Sequence, residues 1–256
     1  MKILVTICGR KGSKGIVNKN IRDFCGYPLS YYSLSAIDLL KKENQQYDID
    51  VVINSDSEEL IAITKKNPFF SVDIIKRKAE LGGDTIPKVA VIGDCIKQMQ
   101  RLKDIKYSML VDLDITSPLR TVEDIENLIK THLETGADVT ASVTDSRRNP
   151  YFNMLKKTDH GYQKVLDSNC TARQQAPAVF DMNASLYAYK PEFLNSGKGV
   201  LDGYCECIHM EDTGILDLDH ENDFELMQVI ADYLYMRRET YGRIQKNIEE
   251  TIRSRN

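Results

Sequence analysis

Two kinds of side chain in this 256-residue sequence are spaced to do chemistry on phosphates. Cations crowd a glycine-rich segment: Gly9-Arg10-Lys11-Gly12-Ser13-Lys14-Gly15-Ile16-Val17-Asn18-Lys19-Asn20 holds three glycines and four cations. Glycine lets a backbone approach a ligand and turn its N–H groups into an anion-binding concavity. Four cations in the same loop suit a polyphosphate, although a basic surface turn is the plainer alternative, because Gly and Lys are common in turns. Carboxylates recur in two Asp-x-Asp pairs, Asp112/Asp114 and Asp217/Asp219. A spacing of two puts both carboxylates on one face of a strand. Facing a phosphate loop, such a pair offers hard oxygen donors to Mg²⁺. Asp112 could equally cap the turn after it, and Asp219 sits where a helix N-cap could be.

Other chemistries lose ground on the same residues. A Walker loop needs Gly, four residues, then Gly-Lys-Ser/Thr, and a dinucleotide fingerprint needs Gly-x-Gly-x-x-Gly; the first loop has neither order. Cys205-x-Cys207-x-His209 would share one face of a strand, with no second ligand pair at zinc-like spacing. His132, His160, His209 and His220 have no spacing that suggests a shared site, and no Ser-His-Asp or Cys-His arrangement is evident. The six cysteines are spread through a large chain and read as reduced thiols in a cytoplasmic protein. The net charge of −4, with both signs interspersed, gives no broad basic surface for nucleic acid. No run approaches the ~20 apolar residues of a bilayer span. The apolar stretch at Met1–Arg10 is too short for a signal peptide. We therefore expect no nucleic-acid partner and no membrane.

The elements that must hold these loops alternate strand and helix through about the first 145 residues, the pattern of an α/β fold with a mainly parallel sheet. Lys2–Cys8 is a compact apolar run suited to a strand covered on both faces. Helical spacing follows at Pro28–Lys42, then a strand at Asp50–Asn54 and a helix at Glu58–Lys66 capped by Asp56 or Ser57. Further strands are expected at Val72–Ile75, Tyr107–Leu113 and Ala137–Val143. Between them fall a helix from Pro87 to about Leu102 and another at Thr121–Glu134. The segment from 145 to about 182 is polar and aromatic, with hairpin-like pieces and too little apolar sequence for a core of its own, so it reads as an insertion. Strands are expected again at Ala184–Tyr189, Tyr204–Met210 and Gly214–Leu218, then an amphipathic helix at Asp223–Tyr235. Residues 1–236 thus read as a single domain, and 237–256 as a charged C-terminal tail forming a solvated helix.

Five ordered motifs carry a resemblance that covers nearly the whole domain. Arg10, Ser13, Lys14, Gly15, Lys19 and Asn20, in the order Arg-x-x-Ser-Lys-Gly-x-x-x-Lys-Asn, resemble the signature loop of CMP-sialic acid synthetases and related sugar-acid cytidylyltransferases. The resemblance implies that Arg10 and Lys19 hold the triphosphate of CTP, with Gly12, Ser13, Lys14 and Asn20 completing the nucleotide site. Arg77 opens a stretch similar to the family's Arg-Pro-x-x-Leu-x-x-Asp-Thr, with Lys78 in place of the proline, which implies a role in reading base or ribose. Thr116-Ser117-Pro118-Leu119-Arg120 has the family's order, but Asp114-Ile115 stands where many neuraminate enzymes carry Gln-Pro, which allows Asp114 a metal or sugar role. Asp217 and Asp219 resemble the family's Asp-Ile-Asp, implying Mg²⁺ ligands.

In the insertion, Arg147–Asn153 and Thr171–Pro177 resemble segments around the family's sugar pocket. Arg173 is the candidate partner of a sugar carboxylate, since a guanidinium fork fits a carboxylate bidentately. Gln174, Thr116, Ser117 and Asn183 complete the expected sugar contacts. Asp181-Met182-Asn183-Ala184-Ser185 looks closer to the branch acting on legionaminate-like diacetamido sugar acids. The resemblance further implies a three-layer, Rossmann-like nucleotidyltransferase fold and a homodimer formed through the insertion.

The expected reaction is attack of the anomeric hydroxyl of a nine-carbon sugar acid on the α-phosphorus of CTP, releasing pyrophosphate. Catalysis would rest on positioning and electrostatics, with Arg10, Lys19, Asp217 and Asp219 as the catalytic set. A metal-dependent nucleotide-sugar glycosyltransferase is one rival; it gives no reason for the basic glycine loop. A non-catalytic nucleotide-binding protein of the same fold is the other.

Overall fold

The computed structural model describes every residue except Ser13, Lys14, Asp84, Leu216 and Asn256. Strand β1 (Lys2–Gly9) is buried along nearly its whole length, as its unbroken apolar run requires. A two-residue hairpin, β2 (Asp23–Phe24) and β3 (Tyr27–Pro28), leads into helix α1 (Leu29–Glu43). Then come β4 (Asp48–Ser55), α2 (Glu58–Lys65) and β5 (Asp73–Lys76). The Ser57 hydroxyl accepts from the Leu60 N–H at 3.2 Å, so Ser57 rather than Asp56 caps α2. The next elements are α3 (Lys88–Lys103), β6 (Met109–Leu113), α4 (Val122–Thr135) and β7 (Val139–Asp145). The insertion contributes a hairpin, β8 (Leu155–Thr158) with β9 (Gly161–Lys164), and no α-helix. The chain closes with β10 (Phe180–Tyr189), β11 (Cys205–His209), α5 (Glu221–Arg237) and α6 (Glu239–Arg253).

Seven strands form one sheet in the order β11-β7-β10-β6-β1-β4-β5. All neighbours are parallel except β10, which runs antiparallel between β6 and β7. Because strand side chains alternate, β1 feeds both faces. Ile3, Val5 and Ile7 join a core with α1, α4, α5 and α6, while Leu4 joins a second core under α3. The result is three layers, helix–sheet–helix, as expected for this α/β pattern. Thr6 and Asp112, in register on neighbouring strands, therefore face the α3 layer along with Leu4 and Leu110.

Three segments differ from the sequence reading. Strand β10 starts at Phe180 rather than Ala184, with an irregularity in its pairing to β7 between Met182 and Tyr187 and a left-handed Ala184 (φ 52°). The described residues of Gly214–Leu218 form no strand. The Gly214 N–H folds back onto the Asp212 carboxylate at 2.8 Å, and the buried Leu218 bonds the Thr116 carbonyl through its N–H at 3.1 Å. The apolar pattern there plugs a loop into the core instead of extending the sheet. Finally, α6 is not solvated. Tyr241, Ile244 and Ile248 are buried in the main core, and Gly242 crosses α5 so closely that a Cβ would lie 2.5 Å from the Tyr235 carbonyl oxygen. The Ser35 hydroxyl on α1 donates to the Ile244 carbonyl at 2.7 Å, and the Asn247 amide donates to Asp38 at 3.0 Å. Among the described helices, none is long and apolar enough to cross a membrane.

Candidate active site

The carboxyl ends of parallel strands leave a crevice where ligands of open α/β sheets bind, and a cleft of about 370 Å³ lies there. Arg10, Gly15, Lys19 and Asn20 supply one wall from the loop after β1, and Cys8 lies at the end of that strand. Arg77, Leu81, Gly83 and Ile86 supply another from the segment after β5, continued by Lys88 and Val91 of α3. Asp114 and Thr116 come from the loop after β6, and Asp219 from the approach to α5.

The first loop is tied down at both ends of its described residues. The Asn20 amide donates to the Arg10 carbonyl at 3.1 Å, and the Lys11 N–H to Asp56 at 2.7 Å. Gly12 takes a positive φ of 76°, which a side chain would resist. Lys19 reaches across the cleft, donating to the Leu218 carbonyl and lying 3.4 Å from the Asp219 carboxylate. Gly15 rests against that same crossing point: a Cβ there would lie 1.8 Å from the Asp219 carbonyl oxygen. Close backbone approach, rather than turn formation, is what demands glycine at position 15. Ser13 and Lys14, expected in the nucleotide site, lie outside the described residues.

The loop after β6 is organised from beneath by Arg120, which is 1% exposed. Its guanidinium donates to the Asp114 and Ser117 carbonyls and to the hydroxyls of Ser185 (3.2 Å) and Ser33 (3.0 Å). Burial pushes this arginine down to about 10, against the attraction of Asp114 and Asp112. Asp114 accepts from the Thr116 N–H at 2.9 Å and hydroxyl at 2.8 Å. Asp112 does not cap the turn. It is fully buried, accepts from the Thr6 hydroxyl at 2.6 Å, and shares Lys88 with Asp114, each carboxylate 2.7 Å from the ammonium. Burial alone would push Lys88 down, but the two carboxylates outweigh it and hold its pKa well above the usual lysine value. Burial likewise works against the Asp114 charge, and Lys88 with the Thr116 donors more than offsets it, leaving Asp114 at about 2.

Asp219 does not cap α5. His220 takes that place, with Asp223 accepting from the His220 N–H at 2.7 Å, so the Asp219 carboxylate is left facing Lys19. Asp217 is half-buried, and burial together with the neighbouring Asp219 charge raises its pKa. Among the described residues no three His, Cys, Asp or Glu side chains gather into a metal site. Two carboxylates match Mg²⁺, which keeps several waters and takes its remaining ligands from substrate phosphates. Arg77 is held by Asn54, its Nε donating at 2.7 Å. Cys8 offers no nucleophile at neutral pH, since its contact with Cys95 and its burial raise the thiol well above the ordinary value.

Of the residues singled out from sequence, Arg10, Lys19, Asn20, Arg77, Asp114, Thr116 and Asp219 converge on this cleft. Gly12 lines a smaller hollow beside it. The other described residues, Asp217 among them, stand apart from its lining. Ser117 is buried beneath the loop with its carbonyl on Arg120. Asn183 is buried, its amide oxygen accepting from Ser142 and from the Ser185 N–H, which braces the irregular start of β10. Arg173 and Gln174 are exposed in the insertion, Arg173 donating to the Arg147 carbonyl. Sequence reasoning missed Lys88 and assigned Arg120 no role. A signal for Lys88 existed: a lysine in the first turn of a helix opposes the helix dipole, so it needs anionic partners nearby.

Comparison with known proteins fits this geometry. The sequence family described as cytidylyltransferase matches residues 4–242. Post-translational flagellin modification protein B of Campylobacter coli is 33% identical over 229 residues, covering 90% of this chain and 94% of that protein. CMP-N,N'-diacetyllegionaminic acid synthase of Campylobacter jejuni is 31% identical with the same coverage. Among solved structures, CMP:2-keto-3-deoxy-manno-octonic acid synthetase complexed with CTP superposes with a TM-score of 0.61 at 11% identity, covering 91% of this chain and 99% of that one, a likeness of fold.

Proposed function

Because this chain belongs to the cytidylyltransferase family, we propose that it joins CMP from CTP to a nonulosonic acid of the legionaminate or sialic type, with release of pyrophosphate. The observation that carries this reading is the convergence of Arg10, Lys19, Asp114, Thr116 and Asp219, from three separate loops, on one cleft. The sugar is inferred from a relative named for N,N'-diacetyllegionaminic acid and from Asp114, whose acid distinguishes this loop from the Gln-Pro of many neuraminate enzymes.

In the reaction the anomeric hydroxyl oxygen bonds to the α-phosphorus and loses its proton, while the bond from that phosphorus to the β-phosphate bridging oxygen breaks. Arg10 and Lys19 counter the charge of the triphosphate and of the departing pyrophosphate. Arg77, with its guanidinium fixed by Asn54, presents one wall to the nucleoside. Asp114 and Thr116, locked together and braced by Arg120, give the sugar acid a rigid edge to orient against. Asp217 and Asp219 would hold Mg²⁺, whose contribution when bound is to neutralise phosphate charge. The burial of Asp217 and the nearby charge of the exposed Asp219, which together raise the Asp217 carboxyl, fit a divalent cation at this pair. Six free thiols among the described residues accord with a reducing, cytoplasmic setting. The insertion, with Leu155 and Tyr162 exposed, serves as the arm of a homodimer.

Pyrophosphate release from CTP and Mg²⁺ tests this across diacetyl-legionaminate, neuraminate, pseudaminate and octulosonate, with UTP and GTP as controls. Release with CTP and a nine-carbon acid is expected, falling at least about a hundredfold in Asp217→Ala. CTP binding without release from any pair would sink the reading.

A further inference from the structure

Lys88 is the first residue of α3, and its ammonium sits between two carboxylates, 2.7 Å from Asp112 and 2.7 Å from Asp114. An ammonium has three N–H donors; one is hydrogen-bonded to Asp114, and the contact with Asp112 is an ion pair without a hydrogen bond to its buried Oδ2, so at least one donor is left over. Arg120 shows what a purely internal brace looks like here, because it is sealed at 1% exposure with its donors spent on protein oxygens. Lys88 differs: its side chain remains one-third exposed and lines the cleft between the Arg77 wall and the Asp114–Thr116 loop.

Charge decides what the remaining donor can take. The two carboxylates are balanced by two cations, Lys88 and Arg120, the latter drawn to both. A donor belonging to a neutral cluster has no surplus charge for a phosphate, and the cleft has two other cations for that purpose, Arg10 and Lys19 of the loop after β1. It suits an uncharged oxygen acceptor. We propose that Lys88 is a further substrate-binding residue, in which an N–H left over from the Asp114 hydrogen bond donates to a neutral carbonyl oxygen of a substrate. Two carbonyls are within the chemistry of the reaction, the 2-carbonyl of the pyrimidine and the N-acyl carbonyl of the sugar acid. The inference rests on the cytidylyltransferase reading above and adds to it a binding group that none of the five sequence motifs contains.

The test compares wild type with Lys88→Arg, which keeps the positive charge between Asp112 and Asp114 but moves the donors. Three quantities are measured: the melting temperature, the Kd of CTP by calorimetry, and the KM of the sugar acid that turns over in the wild type. We expect a melting temperature close to wild type and a rise of about tenfold or more in one constant, the other staying within about twofold. A rise in the CTP Kd assigns the pyrimidine carbonyl, and a rise in the sugar KM assigns the acyl carbonyl. Both constants unchanged would overturn the proposal, as would equal losses in both with a lower melting temperature, the mark of a structural pin. Lys88→Met leaves Asp112 and Asp114 unbalanced and reports what the ion pairs contribute to folding. Failure of the wild type to turn over any sugar acid sinks the function reading instead, and in that event an unchanged CTP Kd in Lys88→Arg overturns the proposal as well.

Discussion

At the scale of single residues, the cleft depends on atoms that are absent as much as on those present. Gly15 lets the basic loop rest on the Asp219 backbone, and the Lys19–Asp219 contact spans the same point. A methyl group at position 15 has nowhere to go, because its obstacle is a backbone carbonyl. Gly15→Ala should therefore push the first loop away from Asp219 and lower kcat/KM at least about tenfold, equal to roughly 1.4 kcal/mol. The melting temperature should change little, since both segments lie at the surface. Steady-state kinetics beside a thermal melt checks this, and unaltered kcat/KM would show that the loop reaches its working position by another route. The cations and glycines of this loop, and its place after the first strand, were legible in the sequence, because composition is a local property. The reason for glycine at position 15 was not, because its obstacle lies about two hundred residues away along the chain.

At the scale of elements, helix α4 shows how local signals and long-range packing combine. Its start is written locally: the Thr121 hydroxyl accepts from the Asp124 N–H at 3.1 Å, and the Asp124 carboxylate accepts from the Thr121 N–H at 2.8 Å. Its last turn carries a buried histidine, His132, with Nδ1 2.9 Å from the Thr140 hydroxyl on β7. Burial, aided by Lys190, lowers its pKa from 6.5 to about 4. The unfolded chain then binds the proton more readily than the folded one across that interval. Stability should accordingly fall as pH drops from about 6.5 to about 4, by up to roughly 3 kcal/mol from this group. Urea melts at neutral and acid pH, compared between wild type and His132→Gln, isolate the effect. The variant should lose less stability on acidification, and equal losses in the two proteins would mean that other groups govern the acid limb. The insertion was legible as a set of hairpins without a core, and β8–β9 has that form. The expected strand at Gly214–Leu218 failed because alternation alone cannot distinguish a sheet strand from a loop that plugs two apolar side chains inward.

At the scale of the whole molecule, the insertion and the start of β10 leave Leu155, Tyr162, Leu166 and Phe180 exposed, at 62%, 70%, 42% and 48%. Single exposed apolar residues are ordinary, but several in one appended segment mark an interaction surface. If the insertion is the homodimer arm, sedimentation at micromolar concentration should show twice the chain mass, and Leu155→Glu with Tyr162→Glu should convert it to the single-chain mass. A wild type that sediments as a monomer would remove this role from the insertion.

The sequence by itself determined the alternating α/β order, the ends of most strands and helices, and the loops that meet at the cleft. Hydrophobic periodicity, caps and glycine-rich loops are set by neighbours a few residues apart, so they can be read without the fold. Tertiary structure alone decided which charges meet. Lys88 is far in sequence from Asp112 and Asp114, and only the packing of α3 on the sheet brings it between them. It also decided the fate of the last helix, whose charged composition suggested solvent. Tyr241, Ile244 and Ile248 repeat at helical spacing within that composition, and α1 gives them a surface to cover. Burial depends on what another element offers, and that offer is made only once the chain has folded.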